Sequence, residues 1–186
     1  MPRVKGERRL EILKALAGML EQPKWERITT AALAGKLEVS EAALYRHFAS
    51  KAQMFEGLIE FIESSVLTLA NRIAQDEPDG AKQADKLVEM LLAFAEKNPG
   101  MVRVMTGDAL VGEHERLQAR MNQFFDRFEA SLKQALRAPG GEGGDVTAQA
   151  GALTRYAIGC LHQYAKSGFA KKPVESYAAQ RRYLAA

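Results

Sequence analysis

The sequence predicts an all-α protein of about nine helices, with a three-helix unit at the N-terminus and a larger helical body after it. Three observations predict this class. Apolar residues recur at intervals of three and four along most of the chain, and polar capping residues or Pro-Gly clusters separate these segments. No segment shows the alternating pattern of a strand. The hydrophobic fraction of 47% is sufficient for a sizeable core.

The first helix of the N-terminal unit is expected over about residues 7–22. Leu13, Leu16 and Leu20 recur at helical spacing and mark the face that should pack inward. Basic residues cluster just before and at the start of this helix. Residues 1–51 carry a net charge of +4, whereas residues 52–186 carry −1. The basic excess therefore belongs to the N-terminal unit.

Two short helices are expected next, over about 31–37 and 41–48. Thr29 and Thr30 offer an N-cap for the first of them, and Ser40 offers one for the second. The intervening turn is only three residues long. Two short helices around such a turn are typical of a helix-turn-helix, in which the second helix enters the major groove of DNA.

The body is predicted to contain six helices separated by clear breaks. Pro78 and Gly80, then Pro99 and Gly100, interrupt the helical pattern, and glycines dominate residues 140–144. The pattern therefore indicates a DNA-binding domain over 1–50 and a helical domain over 51–186, which we interpret, with the family resemblance named below, as a dimerisation and partner-binding domain. The six helices are expected at about 51–75, 81–97, 100–106, 112–137, 146–168 and 174–184.

Nothing in the sequence predicts an enzyme, a metal site or a cofactor. His47, His114 and His162 are scattered without metal-ligand spacing, and the glycine-rich stretch lacks the strand and the Lys-Ser/Thr pair of a nucleotide loop. No apolar run is long enough to span a bilayer. A single cysteine, Cys160, fits a reducing cytoplasm and is expected to be a small buried residue. We therefore expect a cytoplasmic protein with no membrane partner.

The order of the residues resembles the TetR family of transcription regulators, and within it the branch of nucleoid occlusion factors. The motif LYRHF carries the family-level likeness. The runs RITTAALAGKLEVSEAALYRHFASKAQMFEGLIEFIE, EKNPGMVRVMTGDAL and ERLQARMNQFFDRFEASLKQ carry the closer one. The resemblance implies binding to near-palindromic double-stranded DNA as a homodimer, with room for several dimers on one site.

The DNA contacts implied by the resemblance come from the two short helices and the start of the fourth helix. Small residues let the recognition helix approach base edges, and hydroxyl and cationic groups hold phosphates. The implied residues are Thr29, Thr30, Ser40, Glu41, Ala42, Ala43, Tyr45, Arg46, His47 and Lys51. A basic arm can add phosphate or minor-groove contacts through Arg3, Lys5 and Arg9, although a solvated terminus is the alternative. The family commonly has glycine where this chain has Glu38.

The resemblance also implies that the DNA-bound protein contacts the C-terminal tail of FtsZ, the division GTPase, and opposes Z-ring assembly over the nucleoid. Any GTP turnover would then belong to FtsZ. The helical pattern puts an apolar edge with nearby cations on the fourth and fifth helices, a plausible groove for a partly acidic peptide, and simple core packing is the alternative. The residues of this surface are Phe61, Ser65, Thr68, Leu69, Arg72, Met90, Ala93, Lys97 and Asn98.

Two further interpretations concern the body. The eighth helix can supply either core packing or half of a symmetric dimer seam, through Leu153, Ala157, Cys160, Leu161 and Tyr164. The alternative function is a ligand-responsive repressor of the same fold. Its cavity would be lined by Met90, Phe94, Met101, Met105, Phe125 and Tyr156, a set that is more often plain core.

Overall fold

The computed structural model describes residues 5–23, 26–141 and 144–184, and these residues form nine α-helices and no strand. The all-α prediction is therefore confirmed. Two short 3₁₀ turns, Asp108–Leu110 and Arg181–Tyr183, complete the fold. The helices are α1 (Lys5–Leu20), α2 (Thr30–Lys36), α3 (Glu41–Tyr45), α4 (Lys51–Asp76), α5 (Gly80–Lys97), α6 (Pro99–Met105), α7 (Glu115–Arg137), α8 (Val146–Lys166) and α9 (Pro173–Gln180).

Helix ends differ from the sequence prediction mainly at α3, α7 and α9, and α9 ends at Gln180 instead of residue 184 because the chain continues as a 3₁₀ turn. α3 ends at Tyr45 instead of residue 48, because the chain tightens and the His47 amide donates to the carbonyl of Leu44. α7 begins at Glu115 instead of residue 112. Gly112 has φ +72°, which a helix cannot include, and the His114 ring accepts from the Arg116 amide at the helix start.

α5 lies at the centre of the body. It packs against α4, α7, α8 and α9, and five of its apolar residues are at most 2% exposed. α7 packs in turn against α4 and α8. The buried apolar residues of α5 therefore join most helices of the body in one core. The five residues are Leu87, Val88, Leu91, Leu92 and Ala95.

The N-terminal unit is joined to the body through α6. α1 contacts both α4 and α6, and a Cβ atom on Gly100 would lie 2.2 Å from the carbonyl oxygen of Ala17. Only glycine allows this approach of α6 to α1. Three residues later, the Arg103 side chain donates to main-chain carbonyls at the end of α1. The N-terminal unit is thus fixed on the body by backbone proximity and by a buried cation.

Candidate DNA-binding and partner surfaces

The four residues between α2 and α3, residues 37–40, form the turn of a helix-turn-helix. The Thr29 hydroxyl accepts from the Ala32 amide at 3.1 Å, and the Ser40 hydroxyl accepts from the Ala43 amide at 3.3 Å, so both predicted caps are confirmed. The Val39 amide donates to the Ala34 carbonyl at 3.0 Å, which closes α2 with the six-residue bond of a Schellman motif.

Glu38 occupies the left-handed position of that turn. Its φ is +55°, in the left-handed region that favours glycine, the residue that the family commonly has at this position. A non-glycine residue there costs roughly 1 kcal/mol. The caps and the Schellman bond on either side hold the conformation despite this strain.

The solvent-facing side of α3 carries the residue types expected for DNA recognition. Glu41, Ala42, Tyr45 and Arg46 are exposed, and Ala43 is half-buried. Leu44 and Phe48, which were expected to be core, are each 1% exposed. α3 therefore offers small side chains near its start, with an aromatic hydroxyl and a cation near its end.

One hydrogen bond links the two short helices across this surface. The Thr30 hydroxyl donates to the Glu41 carboxylate. A carboxylate in the first turn of α3 is favoured by the helix dipole. Thr30 and Glu41 are therefore already paired with each other before any DNA is bound, and Thr29 and Tyr45 are the better placed of the expected hydroxyl contacts.

Arg9 lies within α1, which corrects its prediction as part of a flexible arm. Its guanidinium sits 4.2 Å from the centre of the Phe48 ring and donates to the His47 carbonyl, so it fixes α1 to the end of α3. α1 begins at Lys5, whose side chain lies outside the described residues, as does the whole of Arg3. His47 is half-buried, and its Nδ1 atom is buried without a hydrogen-bond partner. A phosphate contact from His47 would therefore have to use Nε2.

Lys51, at the start of α4, is already paired with an acid. Its Nζ atom lies 2.5 Å from the Glu113 Oε1 atom, on the segment between α6 and α7. Arg27 lies 3.5 Å from the same oxygen and donates to the Gly112 carbonyl at 2.7 Å. The sequence analysis did not single out Arg27 or Glu113. The one available signal was the position of Arg27, two residues before the N-cap of α2.

The partner surface expected on α4 and α5 is open to solvent. Phe61 is 45% exposed and Leu69 is 37% exposed, while the Phe61 ring lies 6.1 Å from the ring of Phe94 on α5. The other expected residues line the same two helices. Thr68, Arg72 and Lys97 are exposed, and Ser65, Met90, Ala93 and Asn98 are half-buried.

Phe61 also borders a second feature, an open groove of about 290 Å³ against α1. Leu10 and Leu13 of α1 line it opposite Phe61, together with Lys14 and, at the start of α6, Asn98. Leu10 is 51% exposed. The sequence analysis missed this side of Phe61, because which helix covers the edge of α4 depends on packing between distant segments.

The structure corrects most of the predicted dimer seam on α8. Leu153, Ala157, Leu161 and Tyr164 are each at most 8% exposed within one chain, so their side chains belong to the chain's own core. Cys160 is half-buried, and burial raises the pKa of its thiol. The face of α8 that is open to a partner is a different one, and its exposed residues are Ala152, Arg155, Gly159 and Gln163.

The Met and aromatic residues proposed for a ligand cavity are mostly core. Phe94, Met101 and Met105 are at most 8% exposed, and Met90, Phe125 and Tyr156 are half-buried against the same core. Within the described residues no group of His, Cys, Asp and Glu side chains could hold a metal ion. None of the helices described is both long and apolar enough to cross a membrane.

Comparison with sequence families identifies both parts of the chain. Residues 12–58 match the family described as bacterial regulatory proteins, tetR family. Residues 80–186 match the family described as tetracyclin repressor-like, C-terminal domain. The two matches together cover the helix-turn-helix and almost all of the body.

Full-length relatives are about half identical to this chain. The protein named nucleoid occlusion factor SlmA from Idiomarina loihiensis is 50% identical, over 97% of this chain and 94% of the relative. Its namesakes from Alteromonas mediterranea and Marinomonas sp. are 49% identical, over 95% and 100% of this chain and 94% and 96% of their own lengths.

Solved structures support the fold. A TetR-like transcriptional regulator from a Rhodococcus species superposes with a TM-score of 0.76 at 19% identity, over 100% of this chain and 96% of the other. The TetR-family regulator PfmR from Thermus thermophilus superposes with a TM-score of 0.74 at 18% identity, over 93% and 96%. At these identities the likeness concerns the fold alone.

Proposed function

Since the chain belongs to the SlmA nucleoid occlusion factors, a branch of the TetR family of DNA-binding regulators, we propose that it binds FtsZ while bound to DNA and opposes Z-ring assembly over the nucleoid. The protein would act by binding alone, on the nucleoid in the cytoplasm, and GTP turnover would belong to FtsZ. The observation that carries this proposal is the exposed aromatic side chain of Phe61, on the same pair of helices as the exposed cations Arg72 and Lys97.

The surface around Phe61 fits a peptide that combines apolar and acidic residues. Phe61 and Leu69 leave apolar area in water at a helix edge, where a core residue would be covered. Arg72 and Lys97 are exposed on the same two helices and can attract carboxylates. A disordered tail of FtsZ could lie along α4 with an apolar side chain against Phe61.

DNA binding by two copies is the second part of the proposal. A palindromic site presents two equal half-sites, and one helix-turn-helix reads each of them. In each copy α3 would enter the major groove, and Thr29 and Tyr45 would contact phosphates. Arg46 lies exposed after Tyr45 and can reach a further phosphate.

The two copies would meet through the exposed face of α8. Gly159 lies in the middle of this face, and a Cβ atom added there would lie more than 4 Å from the described residues that surround it. Ala152 lies two turns earlier on the same face and is also small. Small residues let two helices approach closely, so this face can form a symmetric contact with its copy.

A polymer sedimentation assay tests the proposal directly. FtsZ polymerised with GTP is pelleted in the presence of this protein, with and without a duplex that the protein has selected from a random-sequence pool. We expect the pelleted fraction to fall only when both the protein and its selected duplex are present. A scrambled duplex of equal length and composition serves as the control.

The possible outcomes separate the two parts of the proposal. Loss of polymer that requires the selected duplex supports nucleoid occlusion through FtsZ. Tight duplex binding with unchanged polymer would refute the FtsZ contact and leave a DNA-binding regulator. Failure to select any sequence from the pool would refute sequence-specific DNA binding.

A further inference from the structure

One carboxylate, that of Glu113, joins the segment between α6 and α7 to two cations of the N-terminal unit and the start of α4. The Glu113 Oε1 atom lies 2.5 Å from Lys51 Nζ and 3.5 Å from Arg27 Nε. We refer to Arg27 and Lys51 as the cation pair. The Glu113 side chain is only 8% exposed, whereas that of Arg27 is 65% exposed. One buried acidic oxygen therefore holds two cations that come from either end of the helix-turn-helix.

The cation pair is placed where DNA phosphates are expected. Arg27 precedes Thr29, the N-cap of α2, and Lys51 follows Ser50, the N-cap of α4. In the proposed function Thr29 contacts a phosphate, and Lys51 is one of the phosphate contacts that the family resemblance implies. Arg27 and Lys51 carry a guanidinium and an ammonium group, the two groups that proteins use most for phosphate.

We propose that the cation pair is a phosphate-binding site, that Glu113 occupies it in the free protein, and that a backbone phosphate of DNA displaces Glu113. The proposal rests on the DNA-binding part of the proposed function and is independent of FtsZ. The proposed ligand is a phosphodiester of DNA. In the free protein, the Glu113 carboxylate occupies the position that this phosphodiester takes in the complex.

Space and charge favour displacement over simple addition. An open hollow of about 450 Å³ borders the site and is lined by Arg27, Phe55, Asp108 and Glu113. A phosphate can approach through this hollow. The Asp108 carboxylate, which accepts from the Thr106 hydroxyl at 3.1 Å, adds a second negative charge there. A phosphate sharing the site with both acids would be repelled, so Glu113 has to leave.

Displacement would also loosen the segment between α6 and α7. Arg27 holds this segment twice, through the Glu113 carboxylate and through the Gly112 carbonyl at 2.7 Å. Lys51 makes a third contact with this segment, through the Glu113 carboxylate. Once a phosphate takes the cation pair, these ties are lost and residues 111–114 are freed from the N-terminal unit. DNA binding would thereby change a segment of the body that does not itself touch DNA.

A charge-matched pair of variants tests the displacement. Glu113→Gln removes the competing carboxylate, and Glu115→Gln removes an equal charge two residues away, at an exposed position on α7. Binding of the selected duplex is measured by fluorescence anisotropy at several salt concentrations. We expect Glu113→Gln to bind roughly three- to tenfold more tightly than Glu115→Gln. Equal affinities of the two variants would overturn the proposal.

A third variant tests the phosphate contact of Arg27 and keeps the Glu113 carboxylate, which remains paired with Lys51. Arg27→Gln should weaken duplex binding and reduce the slope of log affinity against log salt by about one for each bound copy. Unchanged affinity and slope would mean that Arg27 only holds the loop, and the proposal would fail. Circular dichroism and the unfolding midpoint establish that each variant is folded.

Hydrogen exchange gives a readout that a purely structural ion pair would not produce. We expect amides of residues 111–114 to exchange faster when the duplex is bound. We expect this increase to be smaller in Glu113→Gln, because its free form has already lost the two contacts made through the carboxylate. Slower or unchanged exchange in the wild-type complex would overturn the displacement. If no duplex is selected at all, the DNA-binding function itself fails, which is a separate result from any of these.

Discussion

Arg103 on α6 donates from Nε to the carbonyl oxygen of Leu20, the last residue of α1, at 2.9 Å. The same guanidinium donates to the carbonyls of Gln22 and Pro23 at 3.1 and 3.3 Å. The Arg103 Cζ atom also lies over the Phe169 ring, 4.8 Å from the ring centre. The last carbonyls of a helix need partners, and a cation is favoured at that end. Arg103 therefore caps the helix that carries the N-terminal unit.

Replacing Arg103 with Met should destabilise the whole chain. The substitution keeps most of the apolar stem but leaves the carbonyls after α1 without their donor, and a lost bond to a charged group costs about 1.5–3 kcal/mol. We expect a lower midpoint in urea, with Arg103→Lys in between because it keeps the charge and loses the fork of donors. An unchanged midpoint for Arg103→Met would show that the cap contributes nothing.

The hydroxyl of Tyr45 is expected to hold a DNA phosphate. Tyr45→Phe keeps the ring and removes only the hydroxyl, so the fold should be unaffected while each half-site loses about 0.5–1.5 kcal/mol, or two- to tenfold in affinity. Tyr183→Phe is the matched control, since Tyr183 is 69% exposed near the C-terminus. Titration of the selected duplex measures the effect. Equal affinity of the two variants would remove Tyr45 from the DNA contacts.

Local chemistry made much of the fold predictable from the sequence. Thr29 and Ser40 were each expected to cap a helix, and each accepts a hydrogen bond from an amide in the first turn. Such signals lie within a few residues of each other in the chain. The left-handed backbone at Glu38 was indicated only by the resemblance, since the family commonly has glycine at that position.

Contacts between distant segments were not predictable in the same way. Glu113 pairs with Lys51 across 62 positions of the chain, and no local pattern points to that pairing. On α8, the spacing of Leu153 and Ala157 identifies an inward face but does not say whether a neighbouring helix or a second chain covers it. The structure resolves this because α5, α6 and α7 already cover that face.

The partner site can be located by comparing the two sides of Phe61. Phe61→Ala should reduce binding of an FtsZ C-terminal tail peptide at least about tenfold, because a central aromatic anchor usually carries more than 1 kcal/mol. Duplex binding should be unchanged. If the peptide lies along α4 and α5, Leu69→Ala should weaken it as well, whereas Leu10→Ala, on the α1 side, should not.

The reverse pattern has a clear meaning too. A strong effect of Leu10→Ala with none from Leu69→Ala would place the peptide in the groove against α1, contrary to the surface proposed here. Loss of duplex binding in Phe61→Ala would mean that the ring is structural. Isothermal titration with the peptide and with the duplex separates these cases.

The exposed face of α8 is expected to hold the dimer together. Gly159→Glu places a charged side chain in the middle of that face, where the chain itself leaves open space, so the variant should fold and sediment as a monomer. Gly35→Glu on α2 is the control, since a Cβ atom there also meets nothing within 4 Å. Sedimentation velocity measures the oligomeric state of both variants. If Gly159→Glu forms a dimer as tight as that of the wild type, the exposed face of α8 is not the dimer contact.

Alkaline pH should destabilise the chain through Tyr177 on α9. Burial, and then a hydrogen bond from its hydroxyl to the Asp85 carboxylate at 2.6 Å, raise the pKa of Tyr177 above its ordinary value of 10.0. Above pH 10 the unfolded chain therefore loses this proton first, and stability falls by up to about 1.4 kcal/mol per pH unit from this group. Tyr177→Phe should be less stable at neutral pH, because it loses the bond to Asp85, yet its stability should fall less steeply from pH 10 to about 12. Urea unfolding at each pH measures both effects, and a slope equal to that of the wild type and of Tyr183→Phe would contradict the assignment.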